Sequence, residues 1–156
     1  PRVLYTGMID QFFDYKFGEL EYRSLRFEHE VIDSDNYQGN AVINYTDSET
    51  PYTRVMEWKH LDGLADEGKT IITKEYPQEW DRSKEAYYPV NNDKNTQIYK
   101  SYATEARKSH PEIIFGGRLG KYRYFDMDQV FNDAFNTVRQ EFGIDQEFNF
   151  AHDQVK

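Results

Sequence analysis

Apolar and polar positions change period several times along the chain, and each period implies an element. Val3 to Tyr5 reads as a short strand. Ile9, Phe12, Phe13 and Phe17 then recur at helical spacing, closed by Gly18, which predicts a short helix over 9–17. From Tyr22 to Ile32 the pattern alternates, with Leu25, Phe27, His29 and Val31 on one side and Arg26, Glu28 and Glu30 on the other, as a half-exposed strand requires. Further strands are predicted over 41–46, 52–61 and 69–76, each bounded by Gly, Asp, Ser or Pro. Their short connections suggest an antiparallel sheet.

Beyond this sheet, residues 93–109 have helix-forming composition, with Ile98, Tyr102 and Ala106 spaced by four and Pro111 ending the run. Ile113-Ile114-Phe115 reads as a buried strand, followed by the turn Gly116-Gly117-Arg118-Leu119-Gly120. Met127, Val130, Phe131, Ala134, Phe135, Val138 and Phe142 then form one apolar stripe on a helix capped near Asp126 and closed by Gly143. The expected fold class is α+β: a twisted antiparallel sheet with flanking helices, ending in a strand–turn–helix. We divide the chain into a sheet region over 1–110, the strand–turn–helix over 111–143 and a tail over 144–156.

Testing registers for the last two sheet strands gives one that sets Trp58 opposite Ile71, Met56 opposite Thr73 and Arg54 opposite Glu75. Those six residues then share a face. An arginine opposed to a carboxylate is held by charge-assisted hydrogen bonds, with part of its donor fork left for a ligand. The plainer reading is a surface ion pair contributing ~0–1 kcal/mol.

Composition narrows the chemistry. Aromatic residues reach 17%, with Tyr 13 and Phe 11, which suggests a wet, tyrosine-rich surface or cleft. The formal net charge of -9 opposes an electrostatic grip on nucleic acid or an anionic membrane, so an anionic ligand must be held by a few local cations. The absence of cysteine leaves neither a disulfide framework nor a thiolate metal site and fits a reducing cytoplasm. No apolar run approaches the ~20 residues of a membrane span. The start at Pro1, running straight into an apolar segment without an initiator Met, reads as a cut edge.

Candidate ligand groups are few. Tyr87, Tyr88, Tyr122 and Tyr124, with Arg54 and Arg118, offer donors for a diphosphate without a large basic patch. Core or rim packing is the competing reading for each tyrosine. A strand, glycine-rich turn and helix direct unpaired amides at whatever sits before the helix. Gly116-Gly117-x-x-Gly120 is nonetheless not the dinucleotide fingerprint and alone reads as a tight turn. His29, His60, His110 and His152 lack metal-ligand spacing, so no metal is expected.

Several motifs occur in an order that resembles one family. These are Tyr5-Thr6-Gly7-Met8-Ile9-Asp10, Phe13-Asp14-Tyr15, the run 20–27 (LEYRSLRF), Val42-Ile43-Asn44-Tyr45, Pro51-Tyr52-Thr53-Arg54, Lys74-Glu75-Tyr76, Tyr87-Tyr88-Pro89-Val90 and the run 115–127 (FGGRLGKYRYFDM). Through them the chain is similar to the UDP-galactopyranose mutases up to about Gly143. Met8 departs from the proline common at that place.

The resemblance implies a three-part flavoenzyme: an FAD-binding α/β domain, a helical domain and a twisted antiparallel sheet around one cleft. The chain would supply the sheet and the last return into the FAD domain, and would lack the N-terminal region that completes the flavin site. The implied activity is the cytoplasmic interconversion of UDP-galactopyranose and UDP-galactofuranose. It runs through an adduct of the sugar on N5 of reduced flavin, with no net redox change. A homodimeric parent enzyme is a further implication of the resemblance, and the fragment alone is expected to be inactive.

Residue by residue, Arg54 resembles the arginine that binds the diphosphate and stabilises its leaving charge, and Glu75 the carboxylate on the adjoining strand. Tyr88 and Tyr124 resemble tyrosines that hydrogen-bond the phosphates, and Arg118 the arginine beside flavin and sugar. Gly117 lies in the flavin-side turn, Asp126 matches the acid that begins the last helix, and Met127 would bring its amide near the flavin. The alternative from a different class is a nucleotide-sugar-binding module without chemistry.

Overall fold

The structure, a computed structural model, describes residues 2–62 and 68–144. Its elements in chain order are β1 (Val3–Tyr5), α1 (Ile9–Phe12), β2 (Tyr22–Ile32), β3 (Val42–Asn44), β4 (Arg54–Glu57), α2 (Lys59–Asp62), β5 (Thr70–Glu79) and β6 (Tyr88–Pro89), then α3 (Asp93–Ser109), β7 (Ile113–Phe115), α4 (Gly117–Gly120) and α5 (Met127–Phe142). Five strands form one sheet in the order β3-β4-β5-β2-β6, and every pairing in it is antiparallel. The alternation over β2 is what a strand packed on two unlike faces needs, and β5 runs beside it from Arg23↔Glu79 to Ile32↔Thr70.

The expected register holds. Arg54 pairs with Glu75 and Met56 with Thr73, and the Trp58 amide donates to Ile71 O at 3.1 Å. The strand expected over 52–61 is shorter, because β4 stops at Glu57 and the chain turns into α2. Glu57 explains the stop. Its carboxylate is fully buried and accepts from the amides of Tyr37 and Gln38 at 3.0 and 2.9 Å, which fastens the 33–41 connection over this end of the sheet. Burial raises the Glu57 pKa, but these hydrogen bonds outweigh it and leave the carboxyl below its ordinary range.

The helix expected over 9–17 is also shorter. α1 ends at Phe12, and Asp14 and Tyr15 take left-handed backbone at φ 49° and 58°. The cause is tertiary. Asp10 is fully buried and accepts from the Leu20 amide at 2.9 Å and the Tyr22 hydroxyl at 2.8 Å, so the chain must fold back toward it. Burial raises the Asp10 pKa despite these bonds.

Ile9, Leu20, Tyr22, Tyr102 and Tyr122 form the core beside α3. Three tyrosines are buried there with their hydroxyls satisfied, so core packing is the reading that holds for Tyr122. Tyr102 donates to Gly18 O at 2.7 Å, and Tyr22 donates to Asp10. α3 is capped at its N-terminus by Asn92, whose side chain accepts from the Asn95 amide at 2.8 Å.

β1 and β7 form a second sheet of two parallel strands, with Val3 opposite Ile113 and Tyr5 opposite Phe115. The strand over 113–115 is thus present, though half-buried rather than buried. The glycine-rich segment is a helical turn, α4, instead of a simple turn. It packs so closely on β1 that a Cβ at Gly120 would lie 2.9 Å from Tyr5 O. α5 follows the predicted stripe and closes at Gly143 with φ 62°, yet none of its described residues is buried. Of the tail expected over 144–156, residues 145–156 lie outside the described residues.

Candidate active site

Arg54 opens β4, with Asn44 opposite it on β3 and Glu75 opposite it on β5. Its Nε donates to Asn44 Oδ1 at 3.0 Å, and its Nη1 lies 3.6 Å from Glu75 Oε2. The guanidinium is therefore clamped from both flanks. The Arg54 side chain keeps 41% of its surface exposed while that of Glu75 keeps 10%, so the carboxylate is the buried anchor and the fork faces outward. At this exposure the ion pair itself contributes ~1 kcal/mol at most. Its larger effect is to fix the direction of the donors.

Glu75 also lines a cavity of about 600 Å³ with Thr53, Arg23, Glu79 and Tyr88. Arg23 is opposite both Tyr88 and Glu79, and it forms an ion pair with Glu79. The cavity thus runs from Glu75 on β5 toward Tyr88 on β6. Beyond β6 the Tyr88 ring stacks on Tyr124 with centroids 5.5 Å apart and planes at 29°. The Arg118 guanidinium lies 5.3 Å from the centre of the Tyr88 ring and 5.0 Å from that of Tyr124.

Local backbone fixes this second group. Arg118 Nε donates to Phe125 O at 2.7 Å, and the Arg123 amide donates to Arg118 O at 2.9 Å, so the chain closes on itself around the guanidinium. Gly117 adopts φ 69°, a conformation that side-chain-bearing residues rarely take. Gly116 caps α4 with no side-chain hydrogen bond. Asp126 is the N-cap of α5, where its amide donates to Gln129 Oε1 at 3.0 Å, and Met127 follows with 80% of its surface exposed.

Of the four candidate tyrosines, the fold brings Tyr88 and Tyr124 together and leaves two out. Tyr122 is buried in the core, with its hydroxyl 2.6 Å from Glu21 O and 3.0 Å from Val90 O, and burial raises its pKa. Tyr87 packs edge-on against Phe27 and donates to Glu85 Oε2 at 3.1 Å. The sequence reading missed Asn44, Thr53 and Arg23 as neighbours of the site. Extending the register one strand further, from β4 to β3, identifies Asn44. Among the described residues, no group of three or more His, Asp or Glu gathers as a metal site, and no helix is long and apolar enough to cross a membrane.

Comparison with known proteins gives this geometry a family. The sequence profile of UDP-galactopyranose mutase matches residues 1–124. A dTDP-fucopyranose mutase of Escherichia coli is 39% identical over 138 residues, covering 88% of this chain and 36% of the relative. A probable UDP-galactopyranose mutase of Klebsiella pneumoniae is 37% identical, covering 88% of this chain and 35% of the relative. A UDP-galactopyranose mutase of Mycoplasma pneumoniae is 38% identical with the same coverages. The chain therefore spans about a third of the length of the curated relatives it matches. The fold superposes on a crystal structure of reduced UDP-galactopyranose mutase with a TM-score of 0.64 at 13% identity, covering 83% of this chain and 35% of the other. By profile and by identity, the chain belongs to the UDP-galactopyranose mutase family.

Proposed function

We propose that this chain forms the substrate-facing sheet of an isomerase that interconverts UDP-galactopyranose and UDP-galactofuranose. The observation that carries the reading is the exposed fork of Arg54, clamped by Asn44 and by Glu75, whose carboxylate lines a cavity shared with Tyr88, the ring that stacks on Tyr124 beside Arg118. In this reading residues 1–110 hold the nucleotide sugar, and residues 111–143 return to a flavin-binding domain built mainly from chain beyond this segment.

Arg54 binds the diphosphate and stabilises the charge that grows on it as the sugar departs, a role in which fixed donors outperform mobile water. Tyr88 and Tyr124 offer phenolic donors to the phosphate oxygens. Arg118, held by Phe125 O, places its charge where hexose and flavin meet. Reduced FAD held at this corner would supply the nucleophile for the anomeric carbon, with no net redox change. The corner fits a flavin edge in three respects: α4 lacks a side-chain cap, Gly117 presents backbone without a side chain, and the exposed Met127 opens α5. Asp126 orients that helix N-terminus.

The 39% identity to a dTDP-fucopyranose mutase favours a second reading, in which the same machinery acts on a dTDP-linked sugar. The test is to assay the intact protein with chemically reduced flavin on UDP-galactofuranose and dTDP-fucofuranose, separating products by chromatography. Conversion of the first supports the main reading, and conversion of only the second supports the alternative. Tight binding without turnover of either would leave a nucleotide-sugar-binding module.

A further inference from the structure

One polar chain on the ligand-bearing sheet face has no part in the arrangement above. Trp58 Nε1 donates to Thr73 Oγ1 at 2.6 Å, and Thr73 Oγ1 is 2.8 Å from His29 Nδ1. Thr73 is directly opposite His29 on β2 and opposite Met56 on β4, one row of side chains beyond Arg54 and Glu75. The indole can only donate, so the threonine oxygen is its acceptor. In the tautomer in which the hydroxyl donates to His29 Nδ1, the imidazole proton is on Nε2 and is free for a ligand. Thr73 is fully buried beneath this pair, whereas His29 is exposed. Two half-buried hydrogen bonds thus orient one exposed ring.

The rows follow an order along β5 and β2. Tyr88 and Arg23 come first, Arg54 and Glu75 next, and His29 with Thr73 follow about 7 Å further on, two residues at the strand repeat. A nucleotide sugar is itself linear: hexose, diphosphate, pentose, base. With the hexose toward Arg118 and the diphosphate on Arg54, the pentose leaves past the His29 row.

We propose that His29, oriented by Thr73 and Trp58, is a specificity-determining donor to the hydroxyls of the nucleotide's ribose. The proposal rests on the mutase reading of the Arg54 site. An N–H donor at this position acts on a hydroxyl oxygen, and a nucleotide lacking that hydroxyl loses the bond and leaves the donor unpaired.

The experiment measures binding of UDP, 2′-deoxy-UDP and 3′-deoxy-UDP to the intact protein by calorimetry. Wild type is expected to bind at least one deoxy nucleotide about tenfold more weakly than UDP, the loss of one directed hydrogen bond. His29→Ala should weaken UDP alone and shrink the penalty to about twofold or less, Thr73→Val should do so in part, and His29→Gln, which keeps a donor, should restore part of it. An unchanged penalty in His29→Ala, equal weakening of all three nucleotides, or a wild type that treats them alike would overturn the proposal. A folded wild type that binds none of the three overturns the mutase reading and the proposal with it. Binding of UDP that Arg54→Ala abolishes, without any deoxy penalty, overturns only the role of His29.

Discussion

Asn44 Oδ1 accepts from Arg54 Nε at 3.0 Å on the flank opposite Glu75, so the arginine is held by a neutral group on one side and a carboxylate on the other. The neutral partner fixes direction without neutralising charge. Asn44→Ala should therefore lower kcat/KM of the intact enzyme by roughly three- to tenfold, the range of one lost hydrogen bond. In an Arg54→Ala background the same change should do almost nothing, because its target is gone. Full additivity in that double-mutant cycle would contradict the clamp.

Arg54 itself should act mainly on the transition state. Arg54→Ala is expected to lower turnover by roughly a hundredfold or more, comparable to losing one preorganised charge-stabilising donor. Arg54→Lys keeps the charge but not the planar fork and should retain an intermediate activity. Steady-state kinetics with reduced flavin decide the matter. A raised KM with near-normal turnover would assign Arg54 to uniform binding only.

Because the chain spans about a third of its relatives, the 156 residues alone should retain little or no FAD and give no turnover. Absorbance of the purified chain measures this. Stoichiometric flavin would overturn the division of the flavin site between this chain and further sequence.

Asp10 gives a pH signature. Its folded pKa is raised by burial, so the fold favours the protonated carboxyl. Its stabilising contribution is full below the unfolded pKa of about 3.9 and is lost as pH rises through the higher folded value. Relative to Asp10→Asn, wild type should lose stability as pH climbs from 3 toward neutrality, measured by urea unfolding. The opposite slope would show that the hydrogen bonds from Leu20 and Tyr22 outweigh burial.

Gly120→Ala should destabilise the chain by about 1–3 kcal/mol, since the new Cβ meets the Tyr5 carbonyl, backbone that cannot rotate away. A lower urea midpoint with unchanged slope is the expected form. An unchanged midpoint would mean that β1 and α4 separate freely.

Much of the sheet was legible because a period of two leaves few registers, and one of them joined an arginine to a carboxylate. Arg54, Glu75 and Thr73 followed from that alone. The early end of α1 was hidden, because Phe13 and Phe17 keep helical spacing while the buried Asp10 carboxylate, a tertiary effect, turns the backbone. Tyr122 and Tyr124 are two residues apart and equally aromatic, yet one is in the core and the other on the Arg118 ring stack. The left-handed backbone of Tyr122, at φ 46°, and its hydroxyl bonds to Glu21 O and Val90 O set it apart, and no local signal announces either. The two-residue β6 is too short to carry a period at all.

The parallel pair of β1 and β7 has a kinetic consequence. Arg2 reaches the Pro111 carbonyl across a sequence separation of 109 residues, and the strands beside that contact meet only when the whole intervening loop has closed. Closure entropy on that scale is recovered late, after β2 and β5 have already shortened the loop by pairing. The two ends of this segment should therefore join last as it folds and part first as it unfolds. The Arg118 corner, built immediately after β7, would then become ordered after the Arg54 face.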